Sequence, residues 1–110
     1  MKVSHYLDAK PSGELPGVTM RVVIGEDDGA PNFKMRVFEL EPGSSTPFHT
    51  HNWEHEIFIL SGRGVAVSEQ GETPITSGNV VFIPANEKHC LTNKGNEVFR
   101  FICLIPIVDV

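Results

Sequence analysis

Cysteine is scarce in this chain: there are two, Cys90 and Cys103, and no Cys-x-x-Cys pair. That excludes a zinc ribbon and a dithiol redox site. No apolar run reaches the roughly 18 residues that a membrane span needs. The stretch Met1–Lys10 carries no apolar signal segment, so the expected location is the cytoplasm, where both thiols stay free. Basic residues are outnumbered, nine Lys and Arg against fourteen Asp and Glu, for a formal net charge of −5. A surface of that sign excludes general nucleic-acid or anionic-membrane binding, which needs phosphates to be neutralised. Helical periodicity is missing as well, since no window keeps apolar positions at helix spacing over three turns. With no linker, repeat or low-complexity tract, the 110 residues read as one domain, 1–110. A chain of that length buries roughly 65% of its unfolded surface, enough for a modest core.

What the chain does have is turn signals at short intervals, among them Pro16-Gly17, Asp28-Gly29, Pro42-Gly43, Ser61-Gly62, Gln70-Gly71, Ser77-Gly78 and Lys94-Gly95. Between them lie runs rich in Val, Ile and Phe. Val18–Ile24, Lys34–Leu40, Glu56–Leu60, Gly64–Ser68, Val80–Ile83, His89–Thr92 and Val98–Ile105 read as strands. Short strands punctuated by Gly and Pro indicate an all-β sandwich or barrel. In Val98–Ile105 both parities are largely apolar, which predicts burial on both sides, by a second sheet or by a partner chain.

Three of the five histidines, His49, His51 and His55, fall within seven positions, and His89 lies far downstream. Counted by two, the first three share a parity that continues as Ile57 and Ile59, while Glu54, Glu56, Phe58 and Leu60 take the other face. Imidazoles gathered on one apolar face suit a divalent metal, because neutral imidazole is the commonest metal ligand. The pentapeptide His51-Asn52-Trp53-Glu54-His55 also matches the His-x-x-Glu-His pattern of inverted zinc peptidases. That chemistry needs a helix, and Pro47 before the segment and Ile57–Leu60 after it oppose one.

The spacing Gly43, His49, His51, His55, Gly62 resembles the first signature of the cupin superfamily, with His55 where cupins usually carry Glu. Gly78, Pro84, Asn86, His89, Asn93 resembles the second, with Asn86 where cupins usually place Gly. Asn tolerates a left-handed backbone better than other non-glycine residues, so the turn survives. The two signatures span 43–62 and 78–93, and the chain is similar to the small single-domain tetrahistidine cupins. The resemblance implies a double-stranded β-helix, the cupin or jelly-roll barrel, usually as a homodimer. It implies His49, His51, His55 and His89 as ligands of a divalent transition metal, most often manganese, with iron, nickel, copper or zinc as alternatives.

Four neutral ligands would leave the ion its full double positive charge, which favours an anionic guest. Ile57, Ile59, Phe99, Phe101 and Cys103 are the expected wall of a pocket for a small, mostly apolar organic substrate. The arginines Arg36, Arg63 and Arg100 carry no signal that any of them points inward. By analogy with other histidine-rich cupins, the expected activity is an oxidoreductase or dioxygenase using dioxygen or peroxide. The alternatives are a non-redox metal-dependent isomerase or hydrolase, and a binding protein without turnover.

Overall fold

The computed structural model describes residues 1–13 and 15–107. Nine strands follow one another: β1 (Pro11–Ser12), β2 (Val18–Ile24), β3 (Phe33–Leu40), β4 (His55–Ser61), β5 (Arg63–Ser68), β6 (Gly71–Thr76), β7 (Val80–Ile83), β8 (His89–Asn93) and β9 (Phe99–Pro106). They form two antiparallel sheets, one in the order β1-β2-β3-β9-β4-β7 and one in the order β6-β5-β8. The sheets enclose one apolar core, making the double-stranded β-helix of the all-β class. Single-turn 3-10 helices occupy Tyr6–Asp8 and Glu26–Asp28, and no described helix is long and apolar enough to cross a membrane.

Every strand expected from the sequence is present, shifted by at most a residue at either end. The sequence reading omits β1 and β6. Strand β6 is the polar segment Gly71–Thr76 with Pro74 inside it, and it pairs with β5 alone. An edge strand needs neither apolar alternation nor every backbone donor, so both usual signals are missing.

The alternation of β9 sets the inside. Phe99, Phe101, Cys103 and Ile105 are buried with Leu40, Ile57, Ile59, Ile83 and Leu91 as the core. Arg100, Ile102 and Leu104 take the outer face, half-buried. At the β4–β5 turn Gly62 has φ +84°, and a Cβ there would lie 2.5 Å from the Val98 carbonyl oxygen. Only glycine lets that turn approach the start of β9 so closely.

Two further features carry histidines toward each other. The segment after Gly43 runs beside β8: Gly43 N–H donates to Asn93 O, Thr46 N–H to Leu91 O, and His49 and His89 exchange backbone hydrogen bonds of 3.1 and 3.0 Å. Across the mouth, Asn86 N–H donates to His51 O at 2.6 Å. Asn86 has φ 70°, the only described non-glycine residue with positive φ, which is the left-handed turn expected of Asn at this position.

Candidate metal centre

The four histidines reach one place by different routes. His55 opens β4 and His89 opens β8, and both are buried. His49 is held to His89 by its backbone bridge, and His51 by its carbonyl, as above. Ring centroids lie 4.3 Å apart for His49–His51, 4.7 Å for His55–His89, 5.2 Å for His51–His55 and 5.4 Å for His49–His89. The His51 ring also stacks on Trp53, at 4.4 Å and 12°.

The nitrogens can be assigned one by one. His89 Nδ1 lies 2.8 Å from Glu87 O. A carbonyl only accepts, so Nδ1 carries the proton and the neutral ring keeps a lone pair on Nε2. The Nε2 atoms of His49 and His51 are 3.1 Å apart. Two donors at right angles around an ion, each about 2.1 Å away, are separated by about 3.0 Å, so this pair has the spacing of adjacent ligands. His55 Nδ1 is buried with no hydrogen-bond partner, an arrangement that carries a desolvation cost unless something binds the nitrogen. Among the described residues no three His, Cys, Asp or Glu side chains stand as a finished coordination set.

Burial disfavours the protonated form of His49, His51 and His55. Desolvation lowers the His55 pKa to about 3, with repulsion from His89, Arg36, His51 and His49 adding to it. His49 and His51 are lowered as well, by burial first and then by neighbouring cations. An unfolded imidazole titrates near 6.5. Between pH 6.5 and 3 the unfolded chain therefore holds a proton at position 55 that the folded chain does not. Stability of the metal-free protein is accordingly full above pH 6.5 and falls as the pH drops through that window, by up to about 1.4 kcal/mol per unit from this residue. Urea midpoints from pH 7.5 down to 4 should decline; a midpoint that rises on acidification contradicts this assignment.

The rings open onto a cavity of about 180 Å³. Ile57, Phe101 and Cys103 line it, with Ile83, Leu91 and Phe38. Ile59 and Phe99, which the sequence reading also places in the wall, lie wholly buried in the core rather than along the cavity. Glu54 and Glu56 point outward and are exposed. Cys103 is a buried free thiol, its pKa raised by burial against an opposing pull from Arg36.

Arg36 is the residue that sequence reasoning misses. Its Nη2 donates to Cys103 Sγ at 3.2 Å, and its guanidinium carbon lies 4.9 Å over the Phe38 ring. The available signal was parity: Arg36 alternates in step with Phe38 and Leu40, the inward face of β3. The wall is thus not purely apolar, because a fixed cation belongs to it.

Residues 36–105 match the model of the Cupin domain family. Among solved structures, the polyketide cyclase RemF from Streptomyces resistomycificus superposes with a TM-score of 0.88 at 37% identity, over 96% of this chain and 79% of that one. A predicted oxalate decarboxylase from Thermotoga maritima gives 0.82 at 29% identity, over 97% of this chain and all of the other, 100%. An oxalate-binding protein of Thermotoga maritima is 40% identical over 79 residues, 68% of this chain and 65% of its own length, so the chain spans slightly less than two thirds of that curated relative. The family match covers both histidine segments and seven of the nine strands in whole or in part, and the chain belongs to the cupin family.

Proposed function

We propose that His49, His51, His55 and His89 hold a divalent transition-metal ion, manganese before iron, nickel, copper or zinc, and that the chain is a metal-dependent enzyme for a small organic molecule bound in the adjoining cavity. The observation that carries this reading is the convergence of four imidazoles at the cavity floor, with two Nε2 atoms at 3.1 Å. The chemistry such an ion supplies is a Lewis-acidic positive charge at which an oxygen anion is stabilised, and an all-imidazole set leaves that charge undiminished.

The chain's own residues do the rest. The Glu87 carbonyl fixes the His89 tautomer, and Trp53 braces His51 from behind. Ile57, Leu91 and Phe101 exclude water, which strengthens every charge interaction inside. Among the described residues no carboxylate lines the cavity. The names of the similar proteins, a polyketide cyclase and an oxalate-binding protein, require no oxidant and favour a non-redox reaction. Oxidation by dioxygen or peroxide would use the same site, since imidazole serves redox metals equally.

Elemental analysis of protein purified without added metal tests the core of the reading: about one transition ion per chain is expected, and none sinks it. Oxygen uptake with a turned-over substrate would select the oxidative route, turnover without uptake the non-redox one, and binding without turnover a carrier.

The chain is further proposed to act as a homodimer. The outer face of the large sheet exposes Phe58, Val80 and Phe82 side by side, at 45%, 74% and 59%. A contiguous apolar face of this kind marks an association surface, and a self-complementary sheet face suits a two-fold pair. Phe82→Glu should convert a dimer into a monomer by light scattering while leaving metal content unchanged. A wild-type protein that is monomeric at high micromolar concentration rejects the pairing.

A further inference from the structure

Arg36 is a cation in the same cavity as the histidines, and nothing in the proposed metal chemistry uses it. We infer that Arg36 is the specificity-determining residue of the cavity and that it receives the carboxylate group of a small organic acid. This deepens the proposed function and rests on it for the second pole of the site, the metal.

The guanidinium lacks an anion. Arg36 Nε is shut in with no hydrogen-bond partner, and Nη2 meets only the thiol of Cys103, a weak acceptor. Arg36 borders the cavity, and a carboxylate entering there meets a fixed positive charge whose donors are poorly satisfied. The other ion pairs among the described residues are Lys2–Asp28, Lys34–Glu26 and Arg100–Glu39, so Arg36 has no described carboxylate of its own. The guanidinium is also held in place. The guanidinium lies on Phe38, and Phe38 stacks on Phe101 at 5.0 Å and 11°.

Register places Arg36 in line with the histidines. Arg36 pairs with Cys103, and Cys103 with Ile57, so the three form one cross-strand row. His55 lies two residues before Ile57 on the same face of β4. A ligand that sets its carboxylate on Arg36 therefore lies across Cys103 and Ile57 with its other end toward the histidines. Its negative charge relieves the repulsion between Arg36 and the cationic centre. A carboxylate fits better than a phosphate. A dianion needs several donors, and the described lining offers one guanidinium and no lysine.

The test is calorimetric binding of oxalate, pyruvate and benzoate, with pyruvamide and benzamide as neutral counterparts and inorganic phosphate as the rival anion. It is run on wild type, Arg36→Lys and Arg36→Met, each metal-loaded and chelator-treated. At least one carboxylate should bind wild type. Its Kd should rise roughly 10- to 150-fold in Arg36→Met, the range for losing hydrogen bonds to a charged group, with Arg36→Lys in between. The amides should bind all three proteins alike, and metal content should not change. Metal-free Arg36→Met should melt at or above wild type, because a buried unpaired donor has been removed. A Kd within threefold of wild type in Arg36→Met, no binding of any of the acids, phosphate tighter than every carboxylate, or a fall of several degrees in the metal-free melting point would each overturn the inference. Failure of the metal reading shows separately, as absence of metal from wild type, while an Arg36-dependent preference for acid over amide in chelator-treated protein would survive it.

Discussion

With the proposed site, His89→Ala protein should leave purification without a transition ion, and His49→Ala and His55→Ala should do the same, while Glu56→Ala should retain the wild-type content. His89 comes from β8 and His55 from β4, which lie in different sheets, so each of these rings closes the site from its own side and no neighbour can replace it. Glu56 shares β4 with His55, but it points away from the cavity and pairs with Phe82 on the outer face. A carboxylate there cannot turn inward without flipping the strand. Losing one of four neutral ligands should weaken binding by orders of magnitude, to nothing detectable after dialysis. Elemental analysis of the four variants decides the matter. Glu56→Ala without metal, beside His55→Ala with it, would reverse the choice of ligand. Acidification gives a parallel check. Each ligand must be deprotonated to bind, and burial holds His49, His51 and His55 below the ordinary value, His55 at about 3, so wild type should release metal only well below pH 6.5, and equal occupancy at pH 3 and pH 8 contradicts the ligand set.

The second large effect is on folding. Asn93 is 1% exposed and closes β8 against two loops. Its Nδ2 donates to Leu40 O and Glu97 O, both at 2.8 Å, and its Oδ1 accepts from Gly95 N–H at 2.8 Å. No aliphatic residue makes these bonds, and aspartate cannot donate the first two. Each buried backbone group left unpaired costs about 1–3 kcal/mol. Asn93→Ala should therefore lose roughly 3–5 kcal/mol, against a total stability on the order of 5–15 kcal/mol. Urea unfolding at pH 7.5 measures it. A loss under about 1 kcal/mol would mean that water replaces the side chain and that Asn93 is not the clasp described here.

The strands were legible wherever burial imposed a pattern. In β4 the alternation of His55, Ile57 and Ile59 with Glu56, Phe58 and Leu60 is the alternation of inside and outside, and β9 behaves likewise. Strand β6 was illegible for the converse reason. A solvated edge puts little constraint on its side chains, so Gly71–Thr76 reads as a turn with a proline in it. The histidine cluster was legible as a spacing, and the turn at Asn86 as a chemical tolerance. Arg36 was not, because a lone arginine in a strand is ordinarily solvated. Its parity with Phe38 and Leu40 was the one signal, and the fold settles the direction by placing Arg36 on the cavity.

Taken alone, the sequence determined the all-β class and the inner parity of the central strands, since each is a local property of side-chain chemistry and a period of two, while the set of four histidines came from the resemblance to the two cupin signatures. Tertiary structure alone decided that the chain after Gly43 lies along β8, which brings His49 to His89 across forty residues of sequence. It also decided that Ile59 and Phe99 belong to the core rather than the cavity, and that a guanidinium shares the cavity with the rings. Those outcomes depend on pairing between distant strands, and no local pattern encodes which strand will become the neighbour of which.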